Sequence, residues 1–309
     1  MNYVYLLSGD ERERELARAE AAALADAAPC SDKLVRTERP IDMPRTAYVI
    51  AGVELLASGG GLGEVRRKVA DLKITSDGFG MAVRKIPARL KVNRREVADA
   101  LAWEIGGRPD LDHPRERFLA FVTAEGLWFG RALEPGEPDW RRFVQRPHGF
   151  SSALPSQAAR AVCNLVVREG DRVVDPCCGS GTLLLNAVAL GASITGFDIN
   201  PRMVGATNGN LEHFGYPRAA SLGDATEVGG AFDVALANVP YGRMTPVTEA
   251  QSRKMIAHIV TLAPRGVLIA ARDIAAEVGG AGAEVVGEIG LGKRRFTRRM
   301  IVWRRDAGT

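Results

Sequence analysis

The tetrapeptide Asn238-Val239-Pro240-Tyr241 follows the apolar run Val234-Ala235-Leu236-Ala237, which reads as a buried strand. A turn of this composition at a strand's C-terminal end offers an amide oxygen, a rigid backbone and an aromatic face at one point. Those groups can hold a planar base and accept hydrogen bonds from its exocyclic amine. Pro-Tyr-Gly also suits a plain turn, so the tetrapeptide alone leaves both readings open. Upstream, Asp175-Pro176-Cys177-Cys178-Gly179-Ser180-Gly181-Thr182 forms a second strand-to-turn junction. Glycines there let the backbone approach a ligand. The third glycine of the dinucleotide pattern is missing, and so is the Gly-Lys-Ser/Thr of a P-loop. Asp175 precedes the turn instead, and a carboxylate suits a cationic amine better than a phosphate.

Two further acids follow. Asp198, in Gly196-Phe197-Asp198-Ile199, ends the next strand and lies about twenty residues past the glycines, where an acid can bind ribose hydroxyls. The alternative is that it caps the helix beginning at Pro201. Asp224, in Gly223-Asp224-Ala225, could accept from an adenine amine or serve as a turn residue.

These residues need a scaffold, and the second half of the chain reads as one. Strand and helix alternate over 172–175, 182–190, 193–198, 203–214, 232–237, 252–262 and 266–271, which predicts a doubly wound parallel sheet. The run 296–303 is expected to close it as an antiparallel strand. The first third reads as a small α+β unit, with strands at 3–7, 35–37 and 47–51, a helix from Asp10 to about Ala28, and a break at Gly59-Gly60-Gly61. A strand over 80–86 follows. Asn93 is expected to cap a helix over 94–105, ended by Gly106-Gly107. Runs 118–123 and 127–130 around Ala124-Glu125-Gly126 predict a hairpin. Glu134-Pro135-Gly136-Glu137-Pro138 reads as a linker, which divides the chain into 1–140 and 141–309.

The 309 residues are 46% hydrophobic and 25% charged, an ordinary globular composition. Lys and Arg number 41 against 37 Asp and Glu, a net of +4. That permits a polyanionic partner without requiring one. The four cysteines form no C-x-x-C pair and the four histidines show no metal spacing, so no metal is expected. The thiols are read as free, in a reducing cytoplasm. No apolar stretch is long enough to span a membrane.

The glycine turn and the Asn238 turn together resemble the S-adenosylmethionine-dependent amino methyltransferases of nucleic-acid bases. The segment around residues 45–135, with its strand, helix, Gly-Gly and hairpin, resembles the THUMP RNA-binding module. Arg146-Pro147-His148-Gly149-Phe150 through Asn164-Leu165, together with Pro240-Tyr241-Gly242-Arg243, resembles the archaeal and eukaryotic tRNA guanine-N2 methyltransferases acting at position 10. That resemblance implies a class I (Rossmann-like) methyltransferase domain behind an α+β ferredoxin-like and THUMP region. It implies S-adenosylmethionine as cofactor and tRNA as partner, in the cytoplasm. Asp175, Gly179, Ser180, Gly181, Asp198, Ile199, Asp224 and Ala225 would hold the cofactor. Asn238, Pro240 and Tyr241 would be catalytic, with Tyr241 stacked on a flipped base. Arg84, Lys85, Arg94, Arg95 and Arg243 would meet RNA phosphates, and Lys293, Arg294 and Arg295 begin a second basic cluster. The family commonly shows Asp-Pro-Pro-Tyr where this chain has Asn238-Val239-Pro240-Tyr241. An Asn there resembles the position-6 guanine-N2 enzymes and the adenine-N6 methyltransferases, which leaves position and base open. A non-catalytic RNA-binding protein on a relic cofactor fold is the other reading, and an accessory protein subunit is left open.

Overall fold

The chain begins with strand β1 (Tyr3–Leu7), helix α1 (Arg14–Ala25) and strands β2 (Ala28–Pro29), β3 (Leu34–Thr37) and β4 (Val49–Gly59). Next come α2 (Leu62–Asp71), β5 (Phe79–Lys85), α3 (Arg94–Ala102), β6 (Glu116–Val122) and β7 (Leu127–Leu133). The second half runs α4 (Ser156–Val166), β8 (Arg172–Asp175), α5 (Thr182–Val188), β9 (Ser193–Asp198), α6 (Pro201–His213), β10 (Ala220–Leu222) and β11 (Val234–Asn238). It closes with α7 (Glu249–Thr261), β12 (Arg265–Ala270), α8 (Ala275–Gly280), β13 (Glu284–Lys293) and β14 (Phe296–Arg304). This computed structural model describes residues 1–151, 153–240, 248–293 and 296–306.

Two compact units are present. The first comprises Met1–Ser8, Ala25–Met43 and Val49–Gly136. Its seven strands lie in the order β2-β3-β1-β4-β7-β6-β5. All neighbours are antiparallel except β5 and β6, the pair that α3 connects, as a parallel pair requires a crossover. One face buries Val65 and Val69 of α2 and Val97 and Leu101 of α3 against Phe79, Phe118 and Phe129. Asn93 caps α3 as expected, its side chain accepting from Arg95 N and Glu96 N at 3.1 and 3.4 Å. The hairpin is also as expected: Thr123 N donates to Gly126 O at 2.9 Å, and Thr123 Oγ1 accepts from Glu125 N and Gly126 N.

The second unit is Gly9–Leu24, Pro44–Tyr48 and Glu137–Thr309. Thus α1 and a short piece near residue 46 cluster with the C-terminal half, so the cut is not a single one near 140. The physical reason is Glu20, which is wholly buried. Its carboxylate accepts from Ala47 N at 2.8 Å, Tyr48 N at 3.0 Å and Asn164 Nδ2 of α4 at 2.7 Å. Arg45 adds bonds to Asn164 Oδ1 at 3.2 Å and Val167 O at 3.1 Å.

The sheet of this unit runs β10-β9-β8-β11-β12-β14-β13. Its first five strands are parallel, and β14 is antiparallel to both its neighbours, as the sequence predicted. Residues of α7 and α8 form one core cluster with β11, β12 and Trp303 of β14. Leu185 of α5 and Leu211 of α6 form another with Phe143. Strand order reverses between β8 and β11, and ligands of such sheets bind at the carboxyl ends beside that reversal.

Candidate functional site

The carboxyl end of β8 carries Asp175, and the turn after it is tied to β9. Cys177 N donates to Asp175 Oδ1 at 3.1 Å, Cys178 N to Phe197 O at 2.9 Å, and Gly181 N to Cys178 O at 2.8 Å. Gly179 and Gly181 have φ of +54° and +76°, the left-handed region that glycine enters freely. Their roles differ. A Cβ on Gly181 would lie 2.8 Å from Thr207 Cγ2, so Gly181 is required by packing. A Cβ on Gly179 would meet nothing within 4 Å, so its bare backbone borders open space. Ser180 is buried, and its Oγ has no partner among the described residues.

Three carboxylates end three neighbouring segments. Asp175 is 1% exposed. Burial, and to a lesser degree the charge of Asp198, push its carboxyl up to about 8 against the pull of the Cys177 amide. Asp198 Oδ2 accepts from Gly179 N and Oδ1 from Asn200 N, both at 2.9 Å. It is not the cap of α6; Asn200 is, accepting from Arg202 N at 3.0 Å. Each carboxylate oxygen can take a second donor, which leaves Asp198 capacity for a ligand. Asp224 Oδ1 accepts from Thr226 N and Oγ1 at 2.8 and 2.9 Å. Those bonds hold its carboxyl below the usual range, so the turn role expected of it is filled while it stays ionised. Burial, with the fields of Asp175, Asp198, Cys178 and Asp224, raises the Cys177 thiol well above its ordinary value.

Asn238 ends β11, in register with Ile269 of β12. Its Oδ1 is buried and has no hydrogen-bond partner among the described residues. A buried acceptor of this kind is costly to leave unpaired, so Asn238 Oδ1 has capacity for a donor from outside the described residues. Val239 N donates to Ile269 O at 2.9 Å and fixes the backbone just past Asn238. Pro240 is half-buried. Tyr241, Gly242 and Arg243 lie outside the described residues, as do Arg294 and Arg295. Ile199 is 68% exposed and Ala225 is buried. Leu222, the register partner of Asp198 across β9 and β10, is 64% exposed and went unread because a lone leucine carries no pattern. The Thr207-Asn208-Gly209-Asn210 run of α6 also went unread. Thr207 Oγ1 donates to Gly179 O at 2.7 Å, and the available signal was a cluster of poor helix formers inside a helix.

In the first unit, Arg84 and Lys85 lie on β5, and Arg94 and Arg95 open α3. Arg95 Nε sits 3.8 Å from Asp99 Oδ2, both side chains largely exposed, an arrangement worth little to stability. All four cysteines are free thiols. No helix among the described residues is long and apolar enough to cross a membrane.

The second unit's donor set fits a ligand with a cationic amine and a nucleoside. Among the described residues, a buried carboxylate without a cation partner, a bare glycine backbone facing open space and an amide oxygen without a donor all stand at the carboxyl ends of β8 and β11. Residues 144–266 match the UPF0020 family, described as RMKL-like, methyltransferase domain. A tRNA (guanine(10)-N2)-dimethyltransferase of Pyrococcus abyssi is 30% identical over 162 residues, covering 50% of this chain and 49% of that protein. Its namesake in Methanocaldococcus jannaschii is 49% identical over 125 residues, covering 39% and 35%. The chain thus spans about half or less of the length of these relatives. Among solved structures, TrmN from Thermus thermophilus aligns over 99% of this chain and 100% of its own, with a TM-score of 0.55 and 18% identity. The chain carries a methyltransferase domain, and its fold is that of the class I methyltransferases.

Proposed function

We propose that this protein is an S-adenosylmethionine-dependent tRNA guanosine N2-methyltransferase acting at position 10. The observation that carries the reading is the buried Asn238 Oδ1, without a hydrogen-bond partner among the described residues, at the carboxyl end of β11, beside a strand end that bears the Asp175 carboxylate. The two relatives named for guanine-10 N2 methylation support the choice of base and position. S-adenosylmethionine would supply an electrophilic methyl group on a sulfonium, so no strong base is needed. Asp175 would receive the amine of the methionyl part, Asp198 the ribose hydroxyls and Asp224 the adenine amine, with Ile199 and Ala225 against the adenine. Gly179, Ser180 and Gly181 would line the approach with backbone and a small hydroxyl.

Asn238 Oδ1 would accept one N–H of the guanine amine and turn its lone pair toward the methyl group. In the transfer the guanine nitrogen would gain the methyl as the thioether departs, and it would then lose its extra proton to solvent. Positioning supplies much of the rate in such a scheme. Pro240 would keep the Asn238 turn rigid, and Tyr241 would stack on a base flipped out of its stem. Arg84, Lys85, Arg94 and Arg95, in the THUMP-like region, would grip phosphates, as would Arg243. The test is mass-spectrometric nucleoside mapping of tRNA from a strain lacking the protein. The expected result is loss of N2-methylguanosine at position 10. Loss at position 6 instead would move the site, and loss of N6-methyladenosine would replace the base.

A further inference from the structure

Helix α6 carries Thr207-Asn208-Gly209-Asn210 in its interior. Asparagine competes with its own backbone for hydrogen bonds and glycine has the least helical backbone, so the run opposes helix formation. A local conflict of this kind marks a task outside the element. Asn208 Oδ1 accepts from Ala219 N and Ala220 N at 3.1 and 3.0 Å, fastening the start of β10. Asn210 is wholly buried. Its Nδ2 donates to Ser180 O at 2.9 Å and to His148 O at 3.0 Å, and its Oδ1 accepts from His148 N at 2.9 Å. Gly209 makes room beside it, since a Cβ there would lie 2.9 Å from His148 Nε2.

One amide therefore grips the glycine turn and the segment 146–150 together. It engages both backbone groups of His148, as a strand partner would, in a stretch with neither helix nor strand. Pro147, His148, Gly149 and Phe150 are all exposed, so the grip does not serve to bury side chains. A surface segment pinned this firmly from inside the fold is being held in position. We propose that Asn210 is a positioning residue that sets segment 146–150 as a wall beside the glycine turn, so that a ligand on the turn meets it in one fixed placement. This inference rests on the methyl-donor reading of the turn.

The test uses the full chain, calorimetric titration with S-adenosylhomocysteine and amide hydrogen exchange. In Asn210→Ala the His148 amide loses its acceptor, and its exchange should accelerate by roughly tenfold or more. Affinity should fall by roughly tenfold, about 1.4 kcal/mol. Asn210→Asp keeps the bond from His148 N but loses both donated bonds, and should fall between. Should Asn210→Ala fail to fold, a second pair decides. Gly209→Ala favours the helix yet displaces the His148 ring, so it should weaken binding in the natural background and be silent in His148→Ala. A purely structural role predicts instead that affinity follows thermal stability. Natural affinity in a folded Asn210→Ala protein would overturn the proposal, as would a Gly209→Ala effect that ignores His148. Failure of the unaltered protein to bind S-adenosylhomocysteine is a different result: it removes the donor reading, and this inference with it.

Discussion

Asn238 and Asp175 both pay a cost in the free protein that a ligand would remove. The Asn238 acceptor is buried without a donor among the described residues, so deleting it should not destabilise the fold. Asn238→Ala is expected to melt within a few degrees of the unaltered protein, as followed by circular dichroism. Asp175 is held near 8 and Glu20 near 7, chiefly by burial, whereas carboxyls in an unfolded chain titrate near about 4. The folded protein therefore binds protons that the unfolded chain releases. The stability tied to these groups is intact below about pH 4 and is lost as pH rises through about 7 to 8. A cation beside Asp175 favours its ionised form. Binding of S-adenosylhomocysteine should then release a proton below about pH 8, with affinity rising between about pH 6 and 8. Calorimetry in buffers of different ionisation enthalpy reads that proton, and Asp175→Asn should abolish the release. Affinity independent of pH in the unaltered protein would contradict the role given to Asp175.

At the scale of elements, α1 is part of the methyltransferase unit and Glu20 is its anchor. Glu20→Ala would take the carboxylate acceptor from the amides of Ala47 and Tyr48 and leave Asn164 Nδ2 with Arg45 O, at 3.1 Å, in place of two acceptors. A loss of about 2–5 kcal/mol is expected, measured by urea denaturation of the full chain. For the same reason a fragment beginning at residue 145 should not fold as a cooperative unit, because it lacks α1 and residues 44–48. A sharp thermal transition in that fragment would refute this. The parallel strands of the second unit were legible because Val173-Val174, Val234–Ala237 and Val267–Ile269 are short apolar runs between glycine turns. Helix α2 was not, because its apolar face is only Leu62, Val65 and Val69, set among five charged residues and directly after a glycine run that reads as a break. Strand β13 was hidden by Gly287, Gly290 and Gly292, which dilute a β pattern. The strand-end and turn positions of the three acids, the glycines and Asn238 were legible by spacing. Asn210, Thr207 and the partnership of Glu20 with α4 were not, because they join residues far apart in sequence.

Across the whole molecule the charge is uneven. Residues 60–108 hold eleven Lys and Arg against six Asp and Glu, a net of +5 in a chain whose total is +4. If tRNA docks there, Arg94→Glu with Arg95→Glu should weaken binding, and the slope of log affinity against log salt should flatten by roughly 2. Filter binding between about 50 and 200 mM salt tests this, and an unchanged slope would exclude both residues from phosphate contact. Methyl transfer directed by Asn238 is the central proposal. The decisive measurement is transfer from labelled S-adenosylmethionine to unmodified tRNA, with nucleoside identification, for the unaltered protein, Asn238→Ala and Asn238→Asp. The expected results are N2-methylguanosine from the unaltered protein, a loss of roughly 10²-fold or more in Asn238→Ala with cofactor affinity kept, and substantial activity in Asn238→Asp. Full activity in Asn238→Ala would contradict it.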